Sequence, residues 1–90
     1  MKHDTTLAEL ARKVQLHSQR QMHLEQCEKH VALGEQHMSR QREIIDQLDR
    51  DGFDTGWARD LLTTLERHQL LHIEHREYFR EVLAAIAFNP

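Results

Sequence analysis

The 90-residue sequence predicts an all-α chain folded as one long antiparallel helical hairpin. Three observations point there. Helix breakers are scarce, with three glycines (Gly34, Gly52, Gly56) and one proline, Pro90. Val, Ile, Thr and aromatic residues never alternate over a useful window, so strand signals are absent. Apolar residues instead recur at helical spacing on both sides of a single loop, Asp51-Gly52-Phe53-Asp54-Thr55.

Helix 1 is expected over about 6–50. Thr6-Leu7-Ala8-Glu9 has the capping-box pattern, threonine at the N-cap and glutamate three residues on. Nothing after it stops a helix, since a lone interior glycine such as Gly34 costs only about 1 kcal/mol against alanine. Such a helix is roughly 68 Å long at 1.5 Å per residue, which demands coiled-coil or bundle packing. Gly52 suits the left-handed position that ends it. Asp54 or Thr55 suits the N-cap of helix 2, with Asp60 adding negative charge early in that helix. Helix 2 is expected over about 55–87, where Asn89-Pro90 forbids continuation.

Antiparallel folding about the loop pairs positions whose numbers add to roughly 105, which sets His37 against His68 and His30 against His75. Helix 2 then ends opposite about residue 18, and Leu7, Leu10 and Val14 have no partner within the chain. Either residues 6–16 fold back as a short third helix, or a second subunit covers them. The stretch His17-Ser18-Gln19-Arg20-Gln21 lacks Gly and Pro, which favours a continuous helix and a homodimer. The 1–90 hairpin is then one domain, with 1–20 an N-terminal extension of helix 1. On helix 2, Leu62, Leu70 and Ile73 fall outside the main apolar face. Fully burying such a side chain contributes roughly 1.5–3 kcal/mol, so they too are expected at an interface. Two hairpins making a four-helix bundle is the simplest solution.

Composition narrows the function classes. Charged residues are 30% and apolar ones 39% of the chain, which suits a folded helical protein. A net charge of −3 leaves no basic footprint for nucleic acid. No apolar run approaches the ~18 residues of a membrane span, and the N-terminus has no signal-peptide core. The single cysteine, Cys27, fits a reducing compartment, so a cytoplasmic location is expected. The serines, Ser18 and Ser39, sit on what should be outer helix surface, and no phosphate-binding glycine loop exists. No catalytic or cofactor-binding residues are assigned, and the chain is expected not to be an enzyme.

The histidines carry the one chemical signal. At ~100° per residue, Trp57, Leu61, Leu65, Phe79, Val82 and Ile86 share a face of helix 2, and His68, His72 and His75 fall in its middle. Helix 1 carries a ladder His23, Cys27, His30, Gly34, His37, Gln41, Ile44, Leu48. Beside it runs a heptad column Leu10, His17, Leu24, Val31, Met38, Ile45. Either column could be the seam. His68-x3-His72 has the one-turn spacing by which helices chelate transition metals, and His75, His37 and His30 lie near. His30, His37, His68, His72 and His75 are thus candidate ligands for zinc, nickel, copper or iron. No Glu-x-x-His pair for a diiron bundle is present. The structural reading stands beside it: imidazoles at a seam edge, hydrogen-bonded to carboxylates, to water or to each other. Cys27 reads as a small core residue or as a further ligand.

From His30 to about Phe79 the sequence resembles short α-proteobacterial proteins of the rhizobial type. The likeness rests on His30-Val31-Ala32-Leu33-Gly34-Glu35-Gln36-His37, Gln41-Arg42, Asp51 to Thr55, Ala58, Leu61-Leu62, Leu71-His72 and His75-Arg76. Where that family is expected to carry histidine, this chain has Phe53. The resemblance implies a helical hairpin and draws His30, Glu35, His37 and His72 forward, but it brings no activity with it. The expected function is a non-enzymatic interaction or assembly module acting as a homo-oligomer, a small scaffold or regulatory adaptor that binds itself and another protein. The alternatives are a transition-metal-binding bundle and a pH-responsive assembly through buried histidines.

Overall fold

The structure, a computed structural model, describes residues 2–88, and the side chains of 6–86. It consists of α1 (Lys2–Arg50) and α2 (Gly56–Phe88), packed as an antiparallel hairpin of 76 × 16 × 14 Å. Among the described residues there is no strand. α1 runs unbroken through His17 to Gln21, so residues 6–16 extend it and do not fold back. It begins at Lys2, four residues earlier than the capping box suggested, and Thr6 lies inside the helix. The physical reason is that His3, Asp4 and Thr5 each disfavour a helix by at most ~0.7 kcal/mol, too little to start it later. The expected stop at Asn89-Pro90 lies outside the described residues.

The loop is built as its sequence requires. Gly52 has φ 77°, the left-handed conformation a glycine adopts without penalty. The Phe53 N–H donates to the Leu48 carbonyl at 2.9 Å and the Gly52 N–H to that of Asp49 at 3.1 Å, which together form a Schellman motif. Thr55 is the N-cap of α2, its carbonyl accepting the first helical bond from the Arg59 N–H at 2.9 Å. The Asp54 carboxylate accepts from the Gly56 N–H at 2.9 Å.

Both helices bury a strict 3–4 repeat. On α1 the buried and half-buried residues are His17, Arg20, Leu24, Cys27, Val31, Gly34, Met38, Gln41, Ile45 and Leu48, with Ile44 at the margin. On α2 they are Ala58, Leu62, Leu65, Gln69, His72, Arg76, Phe79, Leu83 and Ile86, with Ile73 and Val82 at the margins and the half-buried N-cap Thr55 just ahead of the helix. This is the heptad of a two-stranded antiparallel coiled coil. The histidine ladder of α1 is therefore split. Its Cys27, Gly34, Gln41 and Leu48 are seam residues, whereas His23, His30 and His37 are exposed beside it. On α2, Trp57 and Leu61 lie off the seam, 63% and 44% exposed. Leu62 and Ile73 are half-buried against α1, so the hairpin itself shelters two of the three residues expected to need a partner. Leu70 alone of them stays exposed, at 62%.

Two glutamines lock the register. Gln41 Nε2 donates across the seam to the Ala58 carbonyl at 2.9 Å. Gln69 Nε2 answers from α2, donating to the Val31 carbonyl at 2.8 Å and to Glu35 Oε1 at 3.1 Å. Two acceptors on one side dictate which way this amide faces, so Oε1 is turned against Gly34, where it has no donor. A Cβ at Gly34 would overlap Oε1 and stand 2.7 Å from Cδ. Gly34 is thus the socket for Gln69. The helices meet at positions whose numbers add to about 102–103, two or three short of the expected 105.

Gly34→Ala tests the socket by the sign of its effect. In an ordinary helix the change stabilises by up to about 1 kcal/mol; here it must expel a hydrogen-bonded, buried amide and should destabilise by about 1–3 kcal/mol in urea unfolding. In a Gln69→Ala background the same substitution should regain its stabilising sign.

Candidate functional site

The residue just before each first seam position forms a flanking column, seven residues apart. On α1 this column is Leu16, His23, His30, His37 and Ile44; on α2 it is Leu61, His68, His75 and Val82. The two columns border the same long edge of the hairpin. They meet around a depression of about 170 Å³, lined by His30, Leu33, Gly34, His37, Leu65, His68, Gln69 and His72. Gly34 and the Gln69 amide seated against it are both part of that lining. On the opposite edge the corresponding columns are Glu28, Glu35, Arg42 and Asp49 with Arg59, Glu66, Ile73 and Arg80, joined by an Arg59–Asp49 ion pair at 2.8 Å. At 58% and 49% exposure that pair contributes about 0–1 kcal/mol. One edge of the molecule is charged; the other is imidazole and apolar.

Of the candidate ligands, the structure brings four to the depression: His30, His37, His68 and His72. His30 faces His72, with ring centroids 5.4 Å apart, and does not face His75 as expected; the two-to-three-residue register difference explains the change. His75 lies a turn beyond, exposed. His23, which carried no assignment, packs on Phe79 at 5.3 Å. Among the described residues no three His, Cys, Asp or Glu side chains are grouped so that they could hold a metal ion.

His72 is the one seam histidine on α2 within this cluster. Its Nδ1 is buried without a hydrogen-bond partner. Burial pushes its pKa below the ordinary 6.5, and the neighbouring imidazoles His30, His68 and His75 push it the same way. Both effects favour the neutral form of His72 in the fold.

Beside the histidine edge, α2 carries a second 3–4 repeat that the hairpin leaves open: Trp57, Leu61, Thr64, His68, Leu71, His75, Tyr78, Val82 and Ala85. It contains no Asp, Glu, Lys or Arg. All nine charged residues of α2 (Arg59, Asp60, Glu66, Arg67, Glu74, Arg76, Glu77, Arg80 and Glu81) lie elsewhere on the helix. Within the stripe Trp57 is 63%, Leu71 51% and Tyr78 60% exposed, and Leu33 of α1 is 48% exposed on the same side. Sequence reasoning merged this stripe with the seam. At 3.6 residues per turn a heptad column drifts about 20° per repeat, so over four repeats a helical wheel smears two neighbouring columns into one broad face. The 3–4 spacing would have separated them. Leu7, Leu10 and Val14, on the part of α1 that overhangs α2, are 65%, 53% and 66% exposed.

No protein-family model matches the chain, and no curated protein and no solved structure matches it. No helix among the described residues is long and apolar enough to cross a membrane.

The state of His72 sets a pH dependence. Its folded pKa is below 6.5, so the unfolded chain binds the extra proton first. The stability that neutral His72 confers is complete above about 6.5 and declines as pH falls through that value. Urea unfolding should give a lower midpoint at pH 5.5 than at 7.5, with a smaller difference in His72→Leu; equal differences in the two proteins would contradict the assignment.

Proposed function

We propose that this chain is a non-enzymatic assembly module, a small cytoplasmic helical scaffold or regulatory adaptor that acts as a homo-oligomer. The observation that carries the reading is the open, charge-free heptad stripe of α2. A solvated helix face is normally studded with charge, as α2 is on the sides away from the seam and the stripe. The stripe has instead the makeup of an interface core, where aromatic residues are enriched and charges depleted.

Area supports the same reading. The hairpin exposes 7285 Å², whereas a compact monomer of 10.7 kDa exposes about 5,500 Å². No large side chain is fully buried among the described residues. Part of the excess is the overhang of α1, yet the whole exceeds what one partner contributes to a standard interface, about 800 Å². Fully covering the exposed parts of Trp57, Leu61, Leu71 and Tyr78 on two copies yields roughly 20 kcal/mol. That exceeds the 4–15 kcal/mol cost of association, and the apolar members of the α1 edge would add to it.

Sedimentation equilibrium on tag-free protein should give twice the chain mass of 10.7 kDa at micromolar concentration. Leu71→Glu should return the monomer mass with helicity unchanged by circular dichroism. A wild-type chain that sediments as a monomer at every concentration would refute the self-association reading.

A second reading is favoured by the four imidazoles around one depression: binding of a transition metal such as zinc, nickel, copper or iron. His68 and His72 have the chelating one-turn spacing, and His30 lies against His72. Side-chain rotation or a histidine from a second copy would have to complete the site. Elemental analysis of protein purified without added metal or chelator should then show a near-stoichiometric metal that is lost in His72→Ala; its absence, together with none retained after zinc, nickel or iron is offered, would end this reading.

A further inference from the structure

We infer that the second copy docks antiparallel, α2 along α2, on a two-fold axis that passes between the two α2 helices at the level of Gln69 and Leu70, which is also the level of Gly34 on α1. This rests on the self-association reading and specifies its partner surface.

The stripe itself selects the geometry. In an antiparallel helix pair, the two kinds of seam position alternate across the interface. The register that occupies the stripe from Trp57 to Val82 pairs Trp57 with Val82 of the second copy, Leu61 with Tyr78, Thr64 with His75 and His68 with Leu71, each pair occurring twice. In-register parallel pairing would instead stack Trp57 on Trp57 and Tyr78 on Tyr78. At the border of the stripe, the antiparallel register brings Arg67 alongside Glu74 of the second copy and Glu74 alongside its Arg67. Both residues are exposed in the hairpin. Asp60 beside Glu81 is the like-charged pairing, and it falls at the outer ends where water screens it most.

The register of the hairpin carries the axis over to α1. Because Gly34 meets Gln69, an axis through the middle of the α2 stripe passes Leu33 and Gly34. The two histidine-lined depressions then face each other across the axis, with His30 opposite His37 of the second copy. Farther out, Val14 on the overhang reaches Phe53 in the other copy's loop. These side chains are 66% and 65% exposed, and the hairpin offers neither a cover. One operator thus accounts for the central stripe, the central cavity and two isolated apolar residues at the ends.

Cysteine cross-linking tests the geometry. Leu61→Cys and Tyr78→Cys, each in a Cys27→Ser background, are mixed, exchanged and mildly oxidised. The mixture should yield a covalent dimer, and neither variant alone should do so. Self-cross-linking of either variant, or a sedimenting dimer whose mixture does not cross-link, overturns the antiparallel assignment while leaving self-association intact. A monomer at all concentrations overturns both. Charge exchange supplies an independent arm: Arg67→Glu should weaken the dimer roughly tenfold, and adding Glu74→Arg should restore it. No recovery in the double variant would overturn the pairing even if the cysteine variants fail to fold.

Discussion

The structure depends on one interlock, the Gln69 amide seated in the gap that Gly34 leaves in α1. A two-stranded coiled coil with a mixed apolar seam could slide by whole heptads at modest cost, since its layers resemble one another. Val31, Met38 and Ile45 would fit against Ala58, Leu65 or Phe79 in several registers. Gln69 fits in one, because only there do the Val31 carbonyl and the Glu35 carboxylate accept its two N–H groups. The bond from Gln41 to the Ala58 carbonyl fixes the same register a few turns nearer the loop. Two buried amides therefore secure alignment, and the loop alone does not set it.

That alignment decides where the histidines go. With Gly34 opposite Gln69, the flanking columns of the two helices face each other, and the imidazoles gather about the space over Gly34. A shift of three residues would bring His75 to His30 in place of His72. The cavity, the lowered pKa of His72 and the separation of a charged edge from an uncharged one are all consequences of the register. A hairpin only 16 × 14 Å across has no interior in which to hide a polar cluster, so the imidazoles border a face rather than fill a core.

Much of the fold was legible in the sequence, for reasons of local chemistry. Gly52 and the pair Asp54-Thr55 announced the turn because a left-handed residue and an N-cap are needed there, though which of the two caps α2 was settled only by the Thr55 carbonyl's bond to Arg59. The absence of Gly and Pro through His17 to Gln21 predicted that α1 would not break, and it does not. The start of α1 was misplaced because capping preferences are comparable to the weak propensities they compete with. The site was less legible. Gly34 was read as a tolerated weak point, since nothing in one strand of sequence says that a glutamine thirty-five residues away will occupy its missing side chain. The histidines were placed on one face, but splitting them into seam (His72) and edge (His23, His30, His37, His68, His75) required the register. Leu62 and Ile73 were assigned outward for the same reason.

The central claim is that the charge-free face of α2 is covered by another copy of this chain. Trp57, the sole tryptophan, lies on that face and is 63% exposed in the single hairpin, so it reports directly. Its fluorescence should be measured across a dilution series whose mass is followed in parallel by sedimentation. The account predicts emission that moves to shorter wavelength as concentration rises, with a midpoint matching that of the mass. Emission that stays at the solvent-exposed position while the mass doubles would show that the copies meet through another surface, and would contradict the account.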